Sequence, residues 1–458
     1  MPDALIVIPR VDKRHSTPGI VALSSILPVI GVEYIKLYAR EKGKREIRVF
    51  YEDLEEKETI YELIDKAGGE TVIGVHITSL SYENSVRIME YAHARGLRVV
   101  VGGPHAQISW KLILQYRPYA ICVPSYGEVA MLALIEGKPL SDVPGIIYLE
   151  NGAIHKNPAE PVNYEELPLI NGLIDHEPFF RKWQGAKKIY KQNDSRGYVS
   201  VRGIKGCAKP KPCTFCTVER METYDPVKRA ERISAERFDA TARFGGNIFI
   251  RECNDDLPNR ECLLALKALT PADYKTPIYN NARINELLRD GLPELVRGAG
   301  YTDLLLGLES LSEPGLKYTG KSLNSLRDLH RLLKKTESTG LNFYISCIMG
   351  WPGETRETYS QIERNIEALL EYKHVVSVGL GFLILYPYTH LFNLLMDDPV
   401  YGRKHFGRPD ADILDYFGLF SDWLNKFANG LSYDFLDDFM QNMTARHKQV
   451  IYLSGFAV

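Results

Sequence analysis

Short apolar runs that do not alternate with polar residues recur along this chain, each followed by a stretch of helical periodicity. In the first third they are "LIVIP" (5–9), "IRVFY" (47–51), "TVIGVHI" (71–77), "LRVVVGG" (97–103) and "YAICVP" (119–124). A strand apolar on both faces must be covered on both, and intervening helices supply the cover. Residues 1–150 are therefore expected to form a doubly wound, Rossmann-like α/β domain. A second series follows: "YVSVRGI" (198–204), "NIFIREC" (247–253), "PIYNNARI" (277–284), "TDLLLGLES" (302–310), "NFYISCIMG" (342–350) and "VVSVGLGFLILYP" (375–387). Six such units suit a partial (β/α)6 barrel over 196–390, short of the eight that close one.

Between the two series, "GIIYLENGAIHKN" from Gly145 centres on Asn151-Gly152, a hairpin signal. Pro158, Pro161, Pro168 and Pro178 mark 151–195 as a linker. The remainder, 391–458, is expected to be a helical region rich in aromatics such as Phe420 and Trp423.

Charge narrows the partners. The chain has 56 basic and 58 acidic residues, a formal net charge of -2, and no run of like charges that would track a phosphate backbone, so nucleic acid is not expected. The apolar stretch from Val375 is too short to span a membrane. The start, "MPDALIVIPRVDKRH", has no charged leader ahead of its apolar run. With an odd total of 7 cysteines, reduced thiols and a cytoplasmic location are expected.

Three of those cysteines, Cys207, Cys213 and Cys216, stand together in "GCAKPKPCTFC", a C-x5-C-x2-C spacing. Structural zinc wants four protein ligands, and no further Cys or His stands close by in sequence to complete the set. An iron–sulfur cluster held by three thiolates fits better and leaves one iron open. The loop follows the first strand of the second series, at the end of a strand where barrel folds keep their active sites. Lys209 and Lys211 place positive charge beside it, or simply solvate a turn that Pro210 and Pro212 stiffen.

"VRGIKGC" from Val201 with "CTFC", "IFIRECNDD" from Ile248, "ARINELL" from Ala282, "LLLGLES" from Leu304 followed by Lys321, and "CIMGWPGET" from Cys347 occur in that order. Upstream stand "VVVGGPHA" (99–106) and "YGEVAML" (126–132). Together these resemble the radical S-adenosylmethionine (SAM) superfamily, in the branch with an N-terminal cobalamin-binding-type domain, over residues 1 to about 390. One departure is the cysteine spacing, where the family usually has C-x3-C-x2-C. Another is "DKRHSTPG" from Asp12, which has the residue types of the cobalt-reaching D-x-H-x-x-G motif at the wrong spacing.

The resemblance implies a 4Fe–4S cluster on Cys207, Cys213 and Cys216, with SAM on the open iron. It implies one-electron reduction of SAM to a deoxyadenosyl radical that takes a hydrogen atom from a small-molecule substrate, the electron coming from an external flavodoxin- or ferredoxin-type donor. Phe215 would pack by the adenine or serve as a core aromatic. Glu252 would accept from the SAM ammonium, Arg283 would pair with its carboxylate, and Glu309 and Ser310 would meet the ribose. Gly350 and Pro352 would bring backbone towards the adenine or only make a tight turn. Asp255 and Asp256 would face substrate or cap a helix, and Tyr386, Tyr388 and His390 would contact substrate or donate a proton. Cobalamin, where the N-terminal domain holds it, would meet Gly102, Gly103, His105, Gly127 and Glu128. Methyl transfer from that cofactor is the favoured outcome. The alternatives are diol dehydration with the domain as a scaffold, and a cobalamin or iron–sulfur sensor without turnover.

Overall fold

Five parallel strands open the chain: β1 (Ala4–Ile8), β2 (Ile47–Tyr51), β3 (Val72–His76), β4 (Arg98–Gly102) and β5 (Ile121–Val123). An antiparallel hairpin, β6 (Ile147–Glu150) and β7 (Ala153–Lys156), extends the sheet to the order β2-β1-β3-β4-β5-β6-β7. The computed structural model describes residues 2–12, 25–190, 195–321, 325–406, 412–428 and 430–453. They divide into two units, Met1–Lys182 with Phe406–Leu414, and Trp183–His405 with Asp415–Val458.

In the first unit the apolar runs do what two-faced burial demands. Leu5, Val7, Ile73, Val75, Val99 and Val101 pack with residues of the helices Tyr82–His93 and Pro104–Tyr116. The alternate residues, Ala4, Ile6, Ile8, Val72 and Val100, pack with Val32 and with Ala130, Met131 and Leu134 on the opposite face. The hairpin turns at Asn151 and Gly152, both with positive φ, as an Asn-Gly pair permits. Of the segment expected to link the two series, Tyr164, Leu167 and Ile170 are buried with Tyr34 and Leu37 in this unit.

The second unit is an all-parallel sheet of β8 (Tyr198–Val201), β9 (Phe249–Glu252), β10 (Ile278–Ala282), β11 (Asp303–Glu309), β12 (Asn342–Met349), β13 (Val375–Phe382) and β14 (Val450–Tyr452). The first six are the expected barrel strands. β14 was not anticipated: the region beyond 390 is mainly helical among its described residues but returns one strand to the edge of β13.

Parallel register aligns side chains in layers. Ser200 lies level with Arg251, Tyr279 with Asp303, and Asp303 with Asn342. Along β9 to β11 these positions are partly exposed or polar, while their neighbours Ile250, Ile278, Leu304 and Leu306 are fully buried. One face of the strands thus packs under helices and the other lines the barrel interior. All strand C-termini share one rim, and the loops that leave it carry most of the singled-out residues of this unit.

Burial gives the first unit a testable pH response. His105 is 2% exposed, and burial lowers its imidazole to about 3, so it folds neutral. The unfolded imidazole binds its proton near 6.5, so the penalty is absent above that pH and grows as pH falls towards 3. At pH 5 it amounts to about 2 kcal/mol. His76 and His176, lowered to about 4, add losses of the same sign, so chemical denaturation at pH 7 and pH 5 should show at least that loss in the wild type, and His105→Gln should shrink it by about 2 kcal/mol.

Candidate active site

The loop after β8 has no regular secondary structure, and neighbouring strand ends hold it. Asp255 Oδ2 accepts from the Gly206 N–H at 2.9 Å. Asp256 Oδ2 accepts from the Ala208 N–H at 3.3 Å and lies 3.6 Å from Cys207 Sγ. Asn254 Oδ1 accepts from the Ile204 N–H. The Cys207 N–H donates to the Glu219 carbonyl at 2.9 Å and the Met221 N–H to the Cys207 carbonyl at 3.0 Å, which closes the loop on itself. Thr214 Oγ1 donates to the Tyr318 carbonyl at 2.5 Å, and the Leu391 N–H donates to the Thr214 carbonyl at 3.1 Å.

The three cysteines are free thiols of intermediate exposure. Burial pushes all three up, Cys216 to about 11. Lys321, Lys209 and Arg283 act in the opposite sense on Cys213, and the Val218 N–H points at Cys216 Sγ at 3.4 Å. Lys321 Nζ donates to Glu309 Oε1 at 2.5 Å and to the Gly307 carbonyl at 2.7 Å. Burial disfavours this ammonium, but Glu309 and the thiols of Cys213 and Cys216 outweigh it and hold it raised. Among the described residues no group of three or more His, Cys, Asp or Glu side chains converges as the cage of one ion. Three thiols in a cationic setting with an amide aimed at sulfur fit a multi-iron cluster, whose thiolates bind separate corners.

The residues assigned to SAM fall into two groups. Arg283, Glu309 and Phe215 gather around the cysteine loop. Arg283 Nε donates to Asp256 Oδ2 at 2.6 Å and acts electrostatically on Cys207 and Cys213. Glu309 ends β11 at φ 73°, and its backbone carbonyl accepts from Trp351 Nε1 at 3.0 Å. Phe215 packs edge-on against Trp351, with ring centroids 5.5 Å apart.

Glu252 and Ser310 belong to the packed interior instead. Glu252 is fully buried on the helix-covered side of β9: Arg237 of the helix Pro226–Phe244 donates to Oε1, while Tyr301 Oη at 2.7 Å and Asn254 Nδ2 at 3.1 Å donate to Oε2. The expected ammonium contact is corrected on that ground, because both oxygens are engaged away from the rim. Ser310 is fully buried, with its hydroxyl 3.1 Å from Ser312 Oγ and 3.4 Å from Glu354 Oε1.

Glu354, in "GWPGE", is a buried carboxylate that sequence reasoning passed over. It is fully buried and accepts from the Gly350 and Trp351 N–H groups, both at 3.1 Å, from Ser312 Oγ at 2.7 Å and from Tyr359 Oη at 2.8 Å. It ties the loop after β12 into a fixed shape. Gly350 at φ 92° cannot take a side chain, since a Cβ would meet the Phe420 ring at 2.7 Å, and Pro352 is buried beside it. A buried acceptor that takes several N–H and O–H donors was readable only as "E" after a turn.

The substrate candidates are also re-placed. Asp255 and Asp256 brace the cysteine loop through their carboxylates, as described above; Asp256 is buried and fully engaged there, which corrects its expected substrate face, while Asp255 is exposed, and neither caps the next helix. The cap before the helix Arg260–Leu269 is Asn259, which accepts from the Cys262 N–H at 2.9 Å. Tyr386 is partly exposed and lies within electrostatic reach of Cys216. Tyr388 is 48% exposed at φ 65°, and His390 is exposed at the start of the helix His390–Met396.

In the first unit the strand order places a topological switch between β1 and β3, where doubly wound sheets receive ligands. Gly102 ends β4 with open space beside it: an added Cβ would meet only the Val123 carbonyl, at 3.6 Å. Gly103, at φ 96°, lies against the His76 ring. His105 is turned into the core, 3.0 Å from Ser79 Oγ and stacked near Tyr82, so it lines packing and not the pocket. Gly127 sits tight against Ile35, and Glu128 is buried with Tyr164 Oη donating to it at 2.6 Å. Asp12 accepts from the Glu83 and Asn84 N–H groups at the start of the helix Tyr82–His93. The rest of "DKRHSTPG" lies outside the described residues. Sequence reasoning missed His76: it ends β3 at the switch, and its Nδ1 is buried with no partner among the described residues.

Comparison with known proteins agrees with both units. The family description "B12 binding domain" matches residues 17–135. Over 91% of this chain the fold matches OxsB, a cobalamin-dependent SAM radical enzyme solved with aqua-cobalamin, at a TM-score of 0.59 and 18% identity. The fold is that of the cobalamin-dependent radical SAM enzymes. The chain spans 58% of the length of OxsB. It also matches the radical SAM methyltransferase TsrM from Kitasatospora setae, solved with cobalamin and a 4Fe–4S cluster, at a TM-score of 0.61 and 16% identity over 86% of this chain and 77% of that one. A curated relative, an uncharacterized methyltransferase of Pyrococcus horikoshii, is 22% identical over 413 residues, 83% of this chain and 84% of its own length. Among the described residues no helix is long and apolar enough to cross a membrane.

The Glu252 assignment separates two outcomes. Glu252→Gln leaves Arg237 as a buried charge without its counter-ion, which costs about 3–5 kcal/mol. Denaturant unfolding should show a loss of that size, whereas a SAM contact alone would leave stability unchanged and weaken only SAM binding.

Proposed function

We propose that this protein is a radical SAM enzyme that transfers a methyl group to a small organic substrate with the help of cobalamin. The observation that carries the reading is the cysteine loop: three free thiols, braced by Asp255 and Asp256, with Lys321 and Arg283 acting on them at the rim of a parallel barrel. Both structural relatives are cobalamin-dependent or methyltransferase enzymes by name, and the curated relative is called a methyltransferase. Bound at these sites, a 4Fe–4S cluster and SAM supply one-electron cleavage chemistry, and cobalamin supplies a transferable methyl group.

The chain's own residues hold and orient. Cys207, Cys213 and Cys216 would hold the cluster, leaving one iron to SAM. Arg283, directed by Asp256, offers a planar pair of donors suited to the SAM carboxylate. Glu309, kept in place by Lys321, presents its carboxylate at the end of β11 for the ribose hydroxyls or the ammonium. Phe215 and Trp351, with the loop that Glu354 fixes, form an apolar wall for the adenine that also excludes water. In the first unit Gly102 leaves space at the end of β4, and His76, against which Gly103 packs, would offer a polar nitrogen to the corrinoid. An external one-electron donor completes the system.

Anaerobically reconstituted protein given dithionite and SAM should consume SAM and release 5′-deoxyadenosine or S-adenosylhomocysteine. Cys213→Ala should lower that consumption by at least about a hundredfold, since two thiolates do not hold the cluster. Undiminished turnover in the variant would refute the assignment. Extraction of the denatured holo-protein should yield a corrinoid. A corrinoid-free protein that still consumes SAM would remove methylcobalamin from the scheme while leaving the radical SAM reading.

A further inference from the structure

The barrel interior carries a cation that the cluster and SAM do not use. Arg251, on the inward side of β9, stacks over the Tyr279 ring at 4.4 Å, and its Nη2 donates to Asn281 Oδ1 at 3.3 Å. Its Nη1 is buried with no hydrogen-bond partner among the described residues. It makes no ion pair there either: Asp255 lies within its electrostatic range and Asp303 stands level with Tyr279, but neither carboxylate pairs with it, and Asp303 already accepts from Asn342 Nδ2 and Tyr344 Oη, both at 3.3 Å. A guanidinium that lies over an aromatic ring, with one nitrogen buried and unpaired and no carboxylate in contact, is suited to take its counter-charge from a ligand.

The space around it is open. Arg251, Tyr279, Asn281 and Leu305 on the inward positions of β9 to β11 are all partly exposed, and Cys253, two residues beyond Arg251 on the same side, is exposed outright. Burial nevertheless pushes the Cys253 thiol up, with Arg251 acting against it. Towards the N-terminal end of the strands Trp183 meets Tyr198 edge-on at 4.7 Å, and Tyr198 packs at a tilt against Phe249 at 5.5 Å. The charges that act most strongly on the three cluster thiols are Lys209, Lys321, Arg283, Asp256 and Glu309; Arg251 is not among them. Arg251 lies within β9, whereas Asp256, Arg283 and Glu309 stand at or beyond the strand ends.

We propose that the barrel interior is a carboxylate-binding site in which Arg251, steadied by Tyr279 and Asn281, receives the carboxylate of the substrate. A monoanion suits the site better than a phosphate, because one guanidinium with Asp255 in electrostatic range cannot balance two negative charges, and the planar fork of Arg matches the planar carboxylate. The inference rests on the enzymatic reading for the word substrate and on geometry alone for the anion site. The substrate class becomes an organic acid, anchored by its carboxylate below the rim with its reacting carbon towards the cysteine loop.

Cys253 is a built-in reporter that needs no turnover. In reconstituted holo-protein the cluster engages Cys207, Cys213 and Cys216, while Cys122, Cys262 and Cys347 are buried. Iodoacetate and iodoacetamide alkylate a thiolate at the same carbon with loss of iodide and differ in one negative charge. Alkylation of Cys253, followed by peptide mass spectrometry, should show an iodoacetate-to-iodoacetamide rate ratio about tenfold higher in the folded protein than in the denatured chain. Arg251→Gln should return the ratio to the denatured value with the iodoacetamide rate unchanged, and Arg251→Lys should keep part of the gain. Equal ratios in folded and denatured wild type, a ratio indifferent to Arg251→Gln, or a Cys253 that neither reagent reaches would overturn the proposal. If Arg251→Gln does not fold, the wild-type comparison decides by itself. Failure of SAM cleavage would leave this result standing, so the two readings fail separately.

Discussion

A loop with three thiols and two prolines cannot hold its shape by backbone pairing, and the order of the site rests on carboxylates lent by the end of the next strand. Asp255 and Asp256 follow β9 and take the N–H groups of Gly206 and Ala208, the residues on either side of the first cysteine. Asp256 also fixes Arg283 from the end of β10. One pair of acids thus sets the position of a thiol and of the neighbouring guanidinium together. Parallel register makes this possible: β8, β9 and β10 end on one rim, so the side chains that follow them meet there without long connections.

Buried charge elsewhere in the barrel serves the same purpose by a different route. Arg237 and Glu252 join the helix Pro226–Phe244 to β9, with Tyr301 and Asn254 satisfying the second carboxylate oxygen. Glu354 collects backbone and hydroxyl donors from the loop after β12. Neither is a strong source of net stability, because the desolvation of such groups offsets most of their attraction. What they supply is uniqueness of arrangement: each carboxylate is satisfied in one geometry only, so helix, strand and loop are fixed relative to one another. Lys321 and Glu309 extend the pattern to the site itself, where a paired cation near Cys213 and Cys216 is restrained from wandering into solvent.

Most strands were legible because a strand covered on both faces is apolar at consecutive positions, and nothing but a parallel sheet under helices explains so many of them in series. β2 and β12 begin where their apolar runs begin. The hairpin at Asn151-Gly152 was legible through turn chemistry. β14 was not, for three residues, Val450–Tyr452, carry no period, and they pair only because Gly379 and Gly381 of β13 leave room for the segment around Leu453. That the cysteine loop leaves a strand end was legible from its place after an apolar run, and Arg283 stands beside it at the end of β10. Glu252 misled because position at a strand end says which rim is near but not which side of the strand an acid faces, and its partner Arg237 stands fifteen residues upstream on a helix. His76 and Arg251 escaped notice for a related reason: a buried nitrogen without a partner is a property of the packed structure that no local sequence pattern encodes.

The longer spacing between Cys207 and Cys213 now has a physical setting. The added length lies in "AKPKP", where Pro210 and Pro212 restrict the backbone and Lys209 Nζ donates to the Lys211 carbonyl at 2.6 Å, so the extra residues form a stiff excursion. Both flanks of that excursion are anchored, Ala208 by Asp256 and Thr214 by Tyr318 and Leu391. With the ends fixed, a longer spacer changes what projects from the rim and not where the first and second thiols stand. Lys211 and the prolines between these anchors are exposed. The spacer therefore forms a rigid basic edge beside the loop, while the loop's two ends keep the positions that the neighbouring elements impose.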